Sequence, residues 1–245
     1  MSGSSADESE QEFEEFLYHI THDLRACFRA LKAIPQWIEE DLGETALTPQ
    51  VAMHLRMLIT QAQRGDRILL DLREFSRVTR KGGTVEHMSV AKIVTRCWAA
   101  MMPPVGMRLD THAADGHVTM PREDADRLFT ALLENAVKHH DRREGIITVR
   151  TTDLGERIQV VVEDDGPGIP PELRERAMEL LTTLKPRDTV EGSGVGLALA
   201  RRVVSRSGGV IQLSDGPTGG LQVTFTLPAH VDMTTQDYVG PDAVA

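Results

Sequence analysis

Three short runs in the second half of the chain carry residue types that bind bases, phosphates and metal ions: LLENAVKHH at 132–140, VEDDGPGIP at 162–170 and EGSGVGL at 191–197. A glycine string alone can mark any crowded turn. Here two of them follow, in order, a predicted helix that bears Asn135. Asp164 ends a β-branched stretch and precedes Gly166 and Gly168, which would hold its carboxylate at a backbone bend open to a flat ligand. A fixed carboxylate accepts from an exocyclic amine. Gly192, Gly194 and Gly196 lead into a helix predicted to start near Val195, whose unpaired N–H groups and positive dipole end suit a triphosphate. Asn135 and Glu134 offer oxygen ligands of the kind Mg²⁺ takes while keeping most of its waters, and Lys138, one turn on, could meet a phosphate.

The elements around these runs read as one domain. A short run near 85–90, a helix over 90–102 and strand candidates at 105–109 and 118–120 precede a helix over 122–138. Two strands, IITVRTTD and RIQVVVED, flank a tight LGE turn, and VIQLS and LQVTFTL follow the glycine-rich helix start. Strands grouped with intervening helices predict an α+β two-layer sandwich, helices on one face of a mixed sheet.

The first half is helical. Phe13, Leu17, Ile20, Leu24, Cys27, Leu31, Ile34 and Ile38 alternate steps of four and three, a heptad seam. A second run, Leu55, Leu58, Ala62, Gly65, Leu69, Leu72 and Ser76, repeats the spacing after DLGETALTP, so the two predict a helical hairpin. A hairpin alone leaves its seams uncovered. Two copies pairing into a dimeric four-helix bundle would cover them, and packing of both helices on the second domain is the other solution. Pro35 inside the first helix predicts a kink. The domains expected are an acidic flexible N-terminus at 1–12, the hairpin at 13–82, the sandwich at 83–230 and a mobile tail at 231–245.

Composition narrows the function classes. Lys and Arg number 27 against 37 Asp and Glu, and the basic residues are dispersed, which leaves no stripe for a nucleic-acid backbone. No apolar run is long enough to span a membrane, and the acidic, Ser-rich start lacks signal-peptide grammar. Two cysteines, Cys27 and Cys97, with no CxxC between them, fit a reducing, cytoplasmic setting. His19 and His22 lie three apart, but only Asp23 stands near them, too few ligands for zinc. His139 and His140 read as imidazoles at a helix end, and Met53, Met57, Met88, Met101 and Met102 as core filler.

The three runs resemble the N box and the two glycine boxes of the ATP-binding domain of histidine protein kinases, whose Bergerat-type fold is shared with gyrase and Hsp90. The match covers about residues 85–228, and TLKPRDTVEGSGVGLALARRVV is especially close to kinases fused to soluble photosensors. The resemblance implies that Asp164 recognises the adenine amine, Asn135 coordinates Mg²⁺ and Lys138 contacts phosphate. It also implies that Gly192, Gly194 and Gly196 form the base of a lid over 171–191. FLYHITHDLRACFRAL looks like the family's H box, which makes His22 the phosphate acceptor. In the heptad His22 falls on the outer surface, where Asp23 could hold its imidazole proton and raise its nucleophilicity. Mg-ATP and a homodimer are implied, with an Asp of a response-regulator receiver as the next acceptor and a sensor carried on another chain or on a longer form of this one.

The sequence departs from the family pattern at Ala26, Cys27 and Ala131, at Met178 and Leu181 where Phe is usual, and at Gln222 where a Thr often lines the adenine pocket. Two other readings stay open on sequence alone: a phosphotransfer or scaffold protein that no longer phosphorylates its histidine, and a kinase of Ser or Thr on a partner.

Overall fold

A computed structural model describes residues 3–78, 84–184 and 192–229, so the expected tail and the last part of the expected lid lie outside the described residues. Helix α1 spans Gly3–Ala46 and α2 spans Pro49–Arg77. The first helix thus begins at Gly3, within the stretch expected to be flexible. At Pro35, where a kink was expected, the backbone keeps helical angles; it leaves them at Gly43, where φ is 63°. Glycine takes that left-handed value without a Cβ penalty. Thr48 caps α2, its side-chain oxygen accepting from the Val51 amide at 3.3 Å, with Pro49 in the first turn.

The hairpin is held along the expected seam on α2 and, on α1, along a stripe one position away from the seam read in the sequence. On α1, Thr21 and Pro35 are buried with half-buried Phe28 between them, and on α2 Leu55, Ala62, Leu69 and Ser76 are buried, both at heptad spacing. The Phe28 ring rests where a Cβ on Gly65 would stand, so a larger residue at 65 would displace the ring. Beside it, Asp66 accepts from Arg25 Nε at 3.3 Å and from Lys32 Nζ at 2.8 Å. Ile20, Leu24, Leu31 and Ile34 remain exposed.

The second domain begins with β1 (Val85–Ser89), α3 (Val90–Met101), β2 (Met107–Ala113) and β3 (His117–Pro121). It continues through α4 (Arg122–His139), β4 (Gly145–Asp153), β5 (Arg157–Asp164), the short α5 (Arg174–Ala177), α6 (Gly196–Arg206), β6 (Ile211–Asp215) and β7 (Leu221–Pro228). β1 and β3 pair as an antiparallel ribbon. The main sheet has the order β2-β4-β5-β7-β6, parallel only between β2 and β4. This is the expected mixed sheet, with α3, α4 and α6 covering one face. Alternation makes it so: along β7, Leu221, Val223, Phe225 and Leu227 are buried while the residues between them face the other side. Phe129 of α4 packs on Phe225, ring centroids 6.0 Å apart. The LGE turn closes with the Leu154 amide on the Arg157 carbonyl at 2.9 Å and Gly155 at a φ of 89°.

Among the methionines read as core, Met88 is buried but Met53, Met57 and Met102 are exposed. Met53 and Met57 lie on the side of α2 turned away from α1, and Met102 is the left-handed cap of α3, at a φ of 48°.

The two domains touch along the end of α2. Glu74 accepts from Arg127 Nε at 3.1 Å, the Arg202 guanidinium stacks 4.6 Å above the Phe75 ring, and Arg206 donates to the Val78 carbonyl.

The hydrogen bond from Lys32, with that from Arg25, holds the Asp66 carboxyl below the usual carboxylate range despite its partial burial. A depressed folded value contributes stability above the unfolded value of about 3.9 and loses it as pH falls toward the folded one. Asp66→Asn is expected to cost the hairpin about 1 kcal/mol at pH 7, the gap from wild type narrowing below about pH 3.9. Denaturant melts of both proteins across that range check it.

Candidate functional site

The three runs meet at one cavity of about 770 Å³, lined among others by Asn135, Lys138, Asp164, Gly168, Gly192, Gly194 and Gly196. Each residue is placed by an element with its own reason to be there. Asn135, Glu134 and Lys138 stand on the last turns of α4, whose buried face (Leu128, Phe129, Leu132, Leu133 and Ala136) fixes its rotation against the sheet.

Asp164 is the last residue of β5 and is buried, 9% exposed. Its Oδ1 accepts from the Gly166 amide at 3.0 Å and the Leu221 amide at 3.2 Å. Among the described residues nothing hydrogen-bonds to Oδ2. Burial pushes its carboxyl above the usual range, and the two amides pull only partly against that. The result is a rigid carboxylate at the cavity wall with one oxygen left for a donor.

Close backbone packing explains the glycines. Gly168 and Gly220 both have left-handed φ, 70° and 78°, because the chain before β7 crosses directly over the end of β5. A Cβ on Gly168 would sit 2.9 Å from the Gly220 carbonyl, and one on Gly220 would collide with the Asp164 backbone. Gly194, φ 71°, packs on the backbone of Leu181 and Thr182. Gly192 faces the Lys138 ammonium, 3.3 Å from where its Cβ would be, which brings that cation to the glycine-rich start of α6. At Gly166, a Cβ would stand 2.9 Å from Asp164 Oδ1, too near for the bend that fixes the carboxylate. Gly196 is different: a Cβ there meets nothing closer than 3.7 Å, so its smallness leaves free space at the first turn of α6.

Several site features were not read in the sequence. Gln222 does not line the cavity: it lies on the other face of β7, its amide on Ser214 Oγ at 3.2 Å and Thr224 Oγ1 at 3.3 Å. Leu221 lines the cavity in its place, and its amide holds Asp164. The glycine pair at 219–220 ahead of a β-branched strand was the available signal. Met178 is buried in the core where an aromatic residue was expected, whereas Leu181 is half exposed with a φ of 63°.

Helix α2 also reaches the cavity through Arg67, Leu70, Asp71 and Glu74, and Arg67 Nη2 lies 3.8 Å from Glu134 Oε2. Glu134 is therefore turned toward a cation of the hairpin. His139 and His140 end α4 as expected, His140 as its C-cap residue, but the His140 ring is not turned to solvent. Its side chain is wholly buried and its Nε2 lies 3.0 Å from Asp165 Oδ1.

His22 and Asp23 stand apart from this cavity, on α1. The His22 side chain is 73% exposed, with Nδ1 3.0 Å from Asp23 Oδ1. In an antiparallel hairpin with Arg25 against Asp66, the turn before Arg25 faces the turn after Asp66. That turn carries Leu70, a cavity residue.

Gly220→Ala is expected to cost at least about 2 kcal/mol, from left-handed strain plus the collision with Asp164. It should also shift the Leu221 amide resonance, whereas Gly219→Ala, with nothing within 4 Å of its Cβ, should leave that resonance in place. Thermal melts and amide spectra of the two variants check it.

The comparisons agree with this geometry. Residues 121–231 match the family described as histidine kinase-, DNA gyrase B- and HSP90-like ATPase. Over 225 residues, 89% of this chain, the sequence is 32% identical to the methanogenesis regulatory histidine kinase FilI of Methanothrix harundinacea, of whose length the matched region spans 25%. The fold is similar to that of full-length ShkA in complex with AMPPNP, with a TM-score of 0.64 at 18% identity, covering 87% of this chain and 45% of that one. It is also similar to histidine kinase ThkA in complex with response regulator TrrA, with a TM-score of 0.62 at 17% identity, covering 92% and 66%. Residues 121–231 are thus an ATPase domain of the histidine kinase, DNA gyrase B and HSP90 family, and joined to its hairpin the chain has the make-up of a sensor histidine kinase core.

Proposed function

We propose that this chain works as a two-component histidine kinase, transferring the γ-phosphoryl group of ATP to His22 and from there to an Asp of a response-regulator receiver domain. One observation carries the reading: a chain with this ATPase domain also presents, on the helix paired with the one that reaches the cavity, an exposed imidazole whose Nδ1 lies 3.0 Å from a neighbouring carboxylate. With the ring hydrogen on Nδ1 and directed at Asp23, the lone pair sits on Nε2, which faces solvent. Attack forms the Nε2–P bond as the bond from phosphorus to the departing ADP oxygen breaks, and Asp23 takes up the Nδ1 proton. Such transfer rests mainly on positioning and on stabilising charge.

Within the cavity, Asp164 Oδ2 would accept from the adenine amine. Lys138 and the glycine turn at Gly192, Gly194 and Gly196 would hold the phosphates. Asn135 offers one amide oxygen at that end, a donor that fits Mg²⁺, an ion that keeps several waters and takes its other oxygens from phosphate. Bound there, Mg²⁺ would neutralise charge on the leaving phosphates.

The exposed apolar stripe of Ile20, Leu24, Leu31 and Ile34 on α1, with Met57 and Leu58 on α2, supports a homodimer in which a second hairpin completes a four-helix bundle. No described helix is long and apolar enough to cross a membrane. We place the core in the cytoplasm, with input from a separate or upstream sensor domain; the resemblance to photosensor-fused kinases is one guide to its kind. That ThkA was solved with a response regulator supports a receiver as the acceptor here.

A second reading, a nucleotide-binding scaffold that does not phosphorylate His22, is favoured by Ala131, which puts a methyl group on the cavity wall. Incubation with γ-labelled ATP and Mg²⁺ separates the two. The kinase takes label that is lost in acid and survives base, and His22→Gln and Asn135→Ala each reduce it at least about a hundredfold. Nucleotide binding without label supports the scaffold. Leu31→Glu is expected to shift the protein from dimer to monomer in sedimentation, since a buried unpaired charge disfavours the interface.

A further inference from the structure

His140 is not used by the mechanism above, yet it is the most enclosed titratable side chain near the cavity, with no exposed surface. Two glycines make room for it. A Cβ on Gly145 would collide with its ring, and one on Gly166 would stand 3.4 Å from its Cδ2. The ring is also oriented at both nitrogens. The Arg142 amide donates to Nδ1 at 3.1 Å, so the neutral ring carries its hydrogen on Nε2, which donates to Asp165 Oδ1 at 3.0 Å. The Arg142 carbonyl lies 3.1 Å from the same Nδ1.

Asp165 gathers the rest. Its Oδ1 also accepts from the Ile146 amide at 2.7 Å, its Oδ2 accepts from Arg142 Nη2 at 3.1 Å, and the same guanidinium donates to the Asp165 carbonyl. This network joins two stretches that β-pairing alone leaves unconnected at this point: the exit of α4, just past Asn135 and Lys138, and the turn that begins with Asp164. The first would hold the phosphate end of a nucleotide and the second its base. Asp165 is the covalent neighbour of Asp164, so the bonds that hold Asp165 hold the start of the turn whose Gly166 amide binds the Asp164 carboxylate.

We propose that His140 is a positioning residue of the nucleotide site, bonding through Nε2 to Asp165 so that the base-binding turn and the phosphate-binding end of α4 stay in register. This rests on the reading of the cavity as an ATP site. The geometry makes a specific demand on the side chain: a donor at the Nε2 position, which a glutamine amide reaches and the shorter asparagine amide does not.

The test measures ATP affinity by calorimetry, KM and kcat of autophosphorylation, and the melting temperature of wild type and of His140→Gln, His140→Asn and His140→Ala. Glutamine is expected to keep affinity within about threefold of wild type. Asparagine and alanine are each expected to weaken ATP at least about tenfold, chiefly in KM, as for a lost hydrogen bond to a charged group. If the alanine variant does not fold, the comparison of glutamine with asparagine decides. Equal affinity in all the variants, or glutamine and asparagine impaired alike while melting together, overturns the proposal. If wild type itself fails to bind ATP, the nucleotide reading falls and this proposal falls with it.

Discussion

Burying a carboxylate costs free energy unless hydrogen bonds compensate it, and the second domain is built around holding one, Asp164, at the edge of its core. Two backbone amides provide that compensation, and each constrains the chain. The Gly166 amide requires the bend after β5, which tolerates no side chain at that residue. The Leu221 amide requires β7 to begin directly above Asp164, which makes Gly220 left-handed and forbids a Cβ there. The pairing of β5 with β7 then propagates the register along the sheet, and the buried side of β7 sets where α4 lies. The positions of Asn135 and Lys138 follow from the same packing.

The hairpin meets this domain through an apolar anchor and a set of polar contacts. Phe75 and Val78, at the end of α2, are buried in the core of the second domain, with Arg202 over the Phe75 ring and Arg206 on the Val78 carbonyl. Away from that anchor, the ion pairs of Glu74 with Arg127 and Arg67 with Glu134 join partly exposed groups that can separate again. The proposed phosphoryl transfer would need such pairs to part, because the cavity and the exposed His22 are separate features of the surface that would have to be brought together. The close pairing within the hairpin, where Phe28 fills the space over Gly65 and Asp66 bridges to α1, keeps His22 on a firm support meanwhile.

Much of this was legible in the residues because strand and helix periodicity are local. The strands from 145 to 228 and the helices over 90–101 and 122–139 lie where alternation and capping place them. The site runs were legible because left-handed and close-packed positions demand glycine, and Gly168 and Gly194 are at such positions. What was missed depends on phase and on contacts distant in sequence. Gln222 was set against a Thr that often lines the adenine pocket, whereas its place in β7 turns it to the opposite face. A kink was expected at Pro35, where the backbone keeps helical angles, and the departure from them occurs at Gly43. The apolar seam of α1 was right in period and displaced in phase, because Thr21 and Phe28, less conspicuous than Leu24 and Leu31, are the residues that meet α2. His140 stands at the end of α4 as read, but its bond to Asp165 was not foreseen because that partner lies on another element.

The account stands on one chain holding both the donor site and its acceptor. The most direct measurement is to incubate the protein with Mg-ATP, digest it at neutral to alkaline pH and locate the added phosphate by mass spectrometry. The account predicts phosphate on the imidazole of His22, in the peptide that also carries Asp23. Phosphate confined to a serine, a threonine or another histidine, with His22 unmodified, would contradict it.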